Sequence, residues 1–260
     1  YNFKELYKYR DLFWTLSWRD YRIRYAQTTL GFLWAFIQPI ITLIILNLVF
    51  GKFVGVKTKI PHILFTVVGT SIWSYFSYVL INSGNSIINN QNMVKKIYFP
   101  RIIIPLSKSI VGFIDFGISL LILTVLMIYF GLTPSSNIIF SPFFILFGVI
   151  TALSIGITLS AITIKYRDLQ HVVPFIIQIG LYITPIGYPA EYAINNLPKW
   201  AQGVYFLNPM AGVIQGFRWS IFGGTPPGEL TIISLIVTLL FLFFGLRYFS
   251  KIDGEIADYV

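Results

Sequence analysis

A run without a single charged residue, LGFLWAFIQPIITLIILNLVF over Leu30–Phe50, constrains this chain more than any other feature. As a helix it is roughly 32 Å long at about 1.5 Å per residue, enough to cross a hydrocarbon core of about 30 Å. The stretch Phe116–Ile164 repeats the message, for it too lacks any charge. Only 11% of the chain is charged while 56% is hydrophobic, against about 25% charged in a soluble domain. The expected fold class is therefore all-α, a single polytopic, multi-pass transmembrane domain over residues 1–260 with most of its mass in lipid.

Six spans are predicted, near 30–51, 61–85, 106–130, 138–164, 170–189 and 230–247. Ahead of them, residues 1–28 read as an amphipathic helix. Phe3, Leu6, Tyr9, Phe13 and Leu16 recur at helical spacing, while Lys4, Lys8, Asp11, Thr15, Arg19 and Arg22 hold the opposite face. With Trp14 and Trp18 beside the basic face, the helix suits the lipid headgroup layer; an ordinary amphipathic core helix is the alternative. Spans three and four are joined by the turn-rich Gly131–Asn137. Residues 190–228 are too apolar and aromatic for a solvated loop and are broken at Pro198, Pro209 and Gly223-Gly224. Two short re-entrant helices dipping into the outer half of the membrane are expected there, and residues 248–260 are expected to be a tail.

The net charge of +9 follows from topology. With the N-terminus inside, most of the 19 Lys and Arg lie on the cytoplasmic side, and Lys52, Lys57, Lys59, Lys199 and Arg218 remain outside. That bias is the positive-inside rule, and nothing in it points to nucleic acid. There is no cysteine and no cleavable leader pattern, so span one is expected to act as the insertion signal. No G-x-x-x-x-G-K-[ST] loop occurs, so the chain is not expected to be an enzyme. His62 and His171 lack metal-ligand spacing and are expected to be interfacial or packing residues. Asp115 is the one carboxylate clearly inside a span. Its expected partner is Lys108, about two turns away, or a polar group on a neighbouring helix. Phe32, Trp34 and Phe36 in span one, with Tyr182 and Tyr188 at the end of span five, suit either an interfacial aromatic belt or a surface on which sugar rings stack.

Four ordered segments, LGFLWAFIQPI (Leu30–Ile40), VKKIYFPRIIIPL (Val94–Leu106), KYRDLQHVVPFIIQIGLYITPIGYP (Lys165–Pro189) and LNPMAGVIQGFR (Leu207–Arg218), carry a resemblance. Together the chain resembles the membrane subunit of type-2 ABC exporters of O antigen and related polysaccharides. The resemblance implies a homodimer of this chain working with two copies of an ATP-binding cassette subunit. ATP and Mg would sit on that partner and no cofactor in this chain. The implied substrate is a polyprenyl-pyrophosphate-linked polysaccharide, and the implied location is the bacterial inner membrane, with both termini cytoplasmic and membrane lipids around the spans. Capsule, teichoic acid, drug or other lipid export are alternatives. A secondary transporter would need several paired intramembrane carboxylates, and a membrane enzyme a carboxylate cluster.

With those partners, three sites are expected. Asn89–Arg101 would dock on the ATP-binding subunit. There Lys95, Lys96 and Arg101 would pair with acids while Tyr98, Phe99 and Pro100 form an apolar plug; a bare topology signal is the alternative. Arg10, Arg19, Arg22 and Arg24 would receive the pyrophosphate before the glycan enters a path between spans one and five, with anionic-lipid anchoring as the alternative. Residues 190–228 would close the outer mouth. Trp200, Tyr205, Phe206 and Phe217 would form the seal, and Arg218 would hold a backbone carbonyl or a headgroup phosphate; a fixed lid is the alternative.

Overall fold

The computed structural model describes residues 3–25 and 33–254, and their regular structure is helical. Five helices among them are long and apolar enough to cross a membrane. These are α3 (Trp34–Leu46) with its π-helical extension Asn47–Phe53, α4 (His62–Gly84), α7 (Ile103–Tyr129), the 3-10 turn Ser136–Phe140 running into α8 (Ser141–Lys165), and α13 (Leu230–Asp253). The fifth predicted span is shorter. Helix α9 (Leu169–Ile183) has 15 residues, about 22 Å at about 1.5 Å per residue. It ends because Thr184 precedes Pro185 and adopts extended backbone, the conformation that a following proline favours.

The N-terminal segment is two helices, α1 (Phe3–Lys8) and α2 (Arg10–Tyr25), broken at Tyr9. Their apolar stripe is covered by the bundle: Leu16 is buried with Val94, Ile102, Ile164 and Phe249, and Leu6, Tyr9 and Phe13 pack on that cluster. Trp14 and Trp18 stay exposed. Helices α5 (Ser86–Asn89) and α6 (Gln91–Lys96) link α4 to α7. Three helices, not two, link α9 to α13: α10 (Ala190–Asn196), α11 (Lys199–Tyr205) and α12 (Pro209–Phe222). Asn208 starts α12 by accepting from the Met210 amide at 3.1 Å, with Pro209 in the first turn. Gly223, at φ 71°, ends it. The expected tail begins as helix, since α13 continues to Asp253.

Helix α4 is the buried centre. Val68, Ile72 and Val79 meet Phe116 of α7, Phe147 and Ala152 of α8, and Met210, Val213 and Phe217 of α12. Close approach is made by small residues: a Cβ at Gly112 would lie 3.1 Å from the Tyr75 ring, and one at Gly156 would lie 2.8 Å from Ser83. A Cβ at Gly216 would lie 1.9 Å from the Phe144 ring, whereas nothing lies within 4 Å of one at Gly117. Gly216→Val should therefore cost about 1–3 kcal/mol by overpacking. It should lower the thermal unfolding midpoint in detergent, and Gly117→Ala should not.

Candidate functional site: an arginine-rimmed cavity between α3, α4 and α9

Helices α1, α2 and α6 and the C-terminal end of α13 gather at one end of the bundle, called here the basic end. Just inside it lies a cavity of about 520 Å³. Three helical stripes line it at four-residue spacing: Trp34, Gln38 and Thr42 on α3; Ser74, Tyr78 and Asn82 on α4; Pro174 and Gln178 on α9. Arg24, Tyr25 and Asp115 close its rim.

The rim is organised by Asp115. Its Oδ2 lies 2.5 Å from Arg24 Nη2, and its Oδ1 accepts from the Tyr25 hydroxyl. Burial, reinforced by the neighbouring carboxylate, pushes the Tyr25 phenol up, so it stays a donor. The Arg24 guanidinium lies 4.2 Å from the centre of the Tyr78 ring, a cation–π contact. Its Nη1 is buried with no hydrogen-bond partner. Lys108 is not the partner of Asp115: seven residues of helix separate the two by about 10.5 Å along the axis. Its ammonium pairs with Asp20, which also takes Arg19 Nη2 at 3.0 Å.

The sequence pattern of the ABC-2 type transporters matches residues 11–222. The chain belongs to the ABC-2 type transporter family. It is similar along nearly its whole length to O-antigen export system permease proteins. The one from Myxococcus xanthus is 26% identical over 257 residues, 98% of this chain and 97% of that protein. The one from Klebsiella pneumoniae is 28% identical over 250 residues, 95% and 94% of the two chains. It is also similar to the polysialic acid transport protein KpsM of Escherichia coli, 23% identical over 240 residues and 89% of each chain. As an ABC-2 permease it is the membrane subunit of a type-2 ABC exporter, a family whose ATPase is a partner cassette subunit.

Within this permease the four predicted arginines do not form one cluster. Arg24 alone lines the cavity. Arg19 is held by Asp20 and, at 2.8 Å, by Asn90 Oδ1; Arg10 lies 3.8 Å from Asp11 on the surface, and Arg22 is exposed. Among the predicted aromatics, Trp34 reaches the cavity, while Phe36 packs instead with Tyr25 and Ile118. Tyr182 is exposed, Tyr188 sits at the far end 5.7 Å from the Phe50 ring, and Phe32 lies outside the described residues. Sequence reasoning missed Gln38, Trp73, Tyr78, Asn82 and Gln178. The signal was present as polar residues recurring every fourth position inside apolar helices.

The predicted docking plug is smaller than expected. Phe99 is 4% exposed and Pro100 is buried, because Phe99 fills the cluster under α2 and α13. Arg101 is turned to Asp253, 3.6 Å away. Ile97 and Tyr98 are the exposed apolar pair, Tyr98 at 86%, flanked by exposed Lys95 and Lys96. The predicted outer seal also contracts. Phe206 and Phe217 are each 1% exposed and already fill the subunit's own core, Phe217 with its ring 6.0 Å from that of Phe116. Trp200 is exposed, and Tyr205 is half-buried with its hydroxyl 3.2 Å from that of Tyr188. Arg218 Nη2 donates to the carbonyls of Pro185 and Ile186 at 3.1 and 3.0 Å, the first of the two roles expected for it.

Asp115→Leu would strip the half-buried Arg24 of its carboxylate, a loss of about 1–3 kcal/mol, read as a lower unfolding midpoint. The double change Arg24→Met with Asp115→Leu should recover much of that loss, because it removes the stranded charge.

Proposed function

We propose that this permease forms the channel of an ATP-driven exporter that moves a polyprenyl-pyrophosphate-linked polysaccharide of the O-antigen type across the bacterial inner membrane. The observation that carries the reading is the cavity. Trp34, half exposed, and Tyr78 stand among the amides of Gln38, Asn82 and Gln178, a lining suited to sugar rings and hydroxyls. Arg24 stands at its mouth as the cation for a pyrophosphate. The names of the full-length relatives point the same way.

In this reading the basic end faces the cytoplasm, with Trp14 and Trp18 in the headgroup layer and residues 190–228 in the outer half as a re-entrant gate. Helices α3 and α9 bury little of their surface within the chain, which leaves a wall for a second copy. Helix α9, although short, serves as the fifth of six spans. Two cassette subunits supply ATP and Mg and dock on Ile97 and Tyr98 between Lys95 and Lys96. Exposed Trp200 and half-buried Tyr205 are what remain to move at the outer mouth.

Deleting the gene should remove one surface glycan and accumulate its lipid-linked form inside the cell; an unchanged surface glycan with no accumulation overturns the proposal. Complementation separates the arginines: Arg24→Gln should fail to restore export, whereas Arg10→Gln and Arg22→Gln should restore it. Tyr98→Ala should insert normally yet weaken stimulation of the partner ATPase on the order of tenfold, as truncating an interface anchor does. Wild-type stimulation would remove the docking role from this loop.

A further inference from the structure

At the far end of the bundle a separate cavity of about 380 Å³ opens between the chain after α3, the turn after α9 and the end of α12. Its charged lining is Lys57, Lys59 and Arg218 against a single carboxylate, Glu191, so the lining is net positive. Arg218 is only 9% exposed and forms no ion pair among the described residues. One of its nitrogens, Nη2, is committed to the Pro185 and Ile186 carbonyls. The guanidinium carbon lies 3.5 Å from the centre of the Phe65 ring. Helix α4 makes room for it: a Cβ at Gly69 would lie 2.9 Å from Arg218 Nη2. Yet Nε is buried with no hydrogen-bond partner.

Arginine presents five donors in a fixed fork. Leaving such a cation buried and incompletely paired is destabilising unless an acceptor arrives from outside. We infer that this cavity binds a phosphate group, received by Arg218 and charge-balanced by Lys57 and Lys59. A planar guanidinium fits phosphate oxygens, and lysines add point charges without demanding one geometry. Trp219 and Phe222 on the same wall offer apolar surface to whatever carries the phosphate. A phospholipid headgroup and the pyrophosphate end of an exported chain share this chemistry; the second source rests on the export proposal.

The chain has no cysteine, so Thr225→Cys places one thiol on the lining, at an exposed position. Its maleimide labelling rate is measured on purified permease in two arms. One is neutral detergent with inorganic pyrophosphate; the other is the same phosphate-free detergent with and without added phosphatidylglycerol. Protection by pyrophosphate is expected, with the half-protecting concentration raised about tenfold in Lys57→Gln/Lys59→Gln, equivalent to about 1.4 kcal/mol. Protection confined to added phosphatidylglycerol, and lost in the lysine variant, also upholds the site and assigns it to a headgroup. Protection in neither arm, or protection unchanged in the lysine variant, overturns it. The lysine pair carries the test because Arg218→Gln also releases the 185–186 turn. Nothing is transported in either arm, so this result is independent of whether the export proposal holds.

Discussion

How closely other helices can approach α4 governs the rest of this permease. Apolar side chains alone do not draw helices together in lipid, since the tails are as apolar as the helices. Contact at small residues and buried hydroxyls does that work instead. Ser83 sits against the place of a Cβ at Gly156 and donates to the Pro105 carbonyl at 2.8 Å. Thr151 and Thr238 join α8 to α13 through hydroxyls 2.9 Å apart. One stripe of α4, Ser74 to Asn82, is left without such close neighbours, and it is the cavity wall. Both helices that face it carry an internal proline, Pro39 in α3 and Pro174 in α9. Each proline removes a backbone hydrogen bond from its helix, and each lines the cavity.

Charge then decides where the amphipathic helix sits. Asp20 and Arg24, one turn apart on α2, pair with Lys108 and Asp115, two turns apart on α7. The two pairs have opposite polarity, so sliding α2 along α7 brings like charges together. Arg24 is thereby held at the cavity mouth by a residue that takes no part in lining the stripes. A carboxylate in a span is costly when alone, and here it is spent on placing a cation.

The long helices were legible because an uninterrupted apolar run of sufficient length has few other destinations. The end of α9 was expected at 189, past the Thr184-Pro185 step that stops it, whereas the break at Pro209 marks the start of α12. The partner of Asp115 was not, since Arg24 is distant in sequence and its proximity depends on how α2 lies across α7. Phe99, Phe206 and Phe217 were read as available surface because they fall in segments rich in turns. Within α12, however, Val213, Ile214, Phe217 and Ile221 recur on one helical face, which is the pattern of a core contact. The cavity itself was half-visible. Its aromatics were singled out in span one alone, while the amides and hydroxyls that share the wall went unnoticed inside apolar helices.

The π-helical end of α3 has a mechanical consequence. It brings Asn47 within 2.9 Å of His62 Nδ1, and His62 Nε2 meets the Gly187 carbonyl at 2.8 Å. Phe50 presses on Gly187 so closely that a Cβ there would lie 2.3 Å from its ring. Helices α3 and α4 and the turn after α9 are therefore riveted together at the far end, while α3 and α9 stand apart across the cavity at the other. A rigid arm pinned at one end moves least at the pin and most at its free end. A rotation of a few degrees would barely disturb Tyr188 beside the rivet, yet it would open the jaw where Arg24 and Trp34 stand.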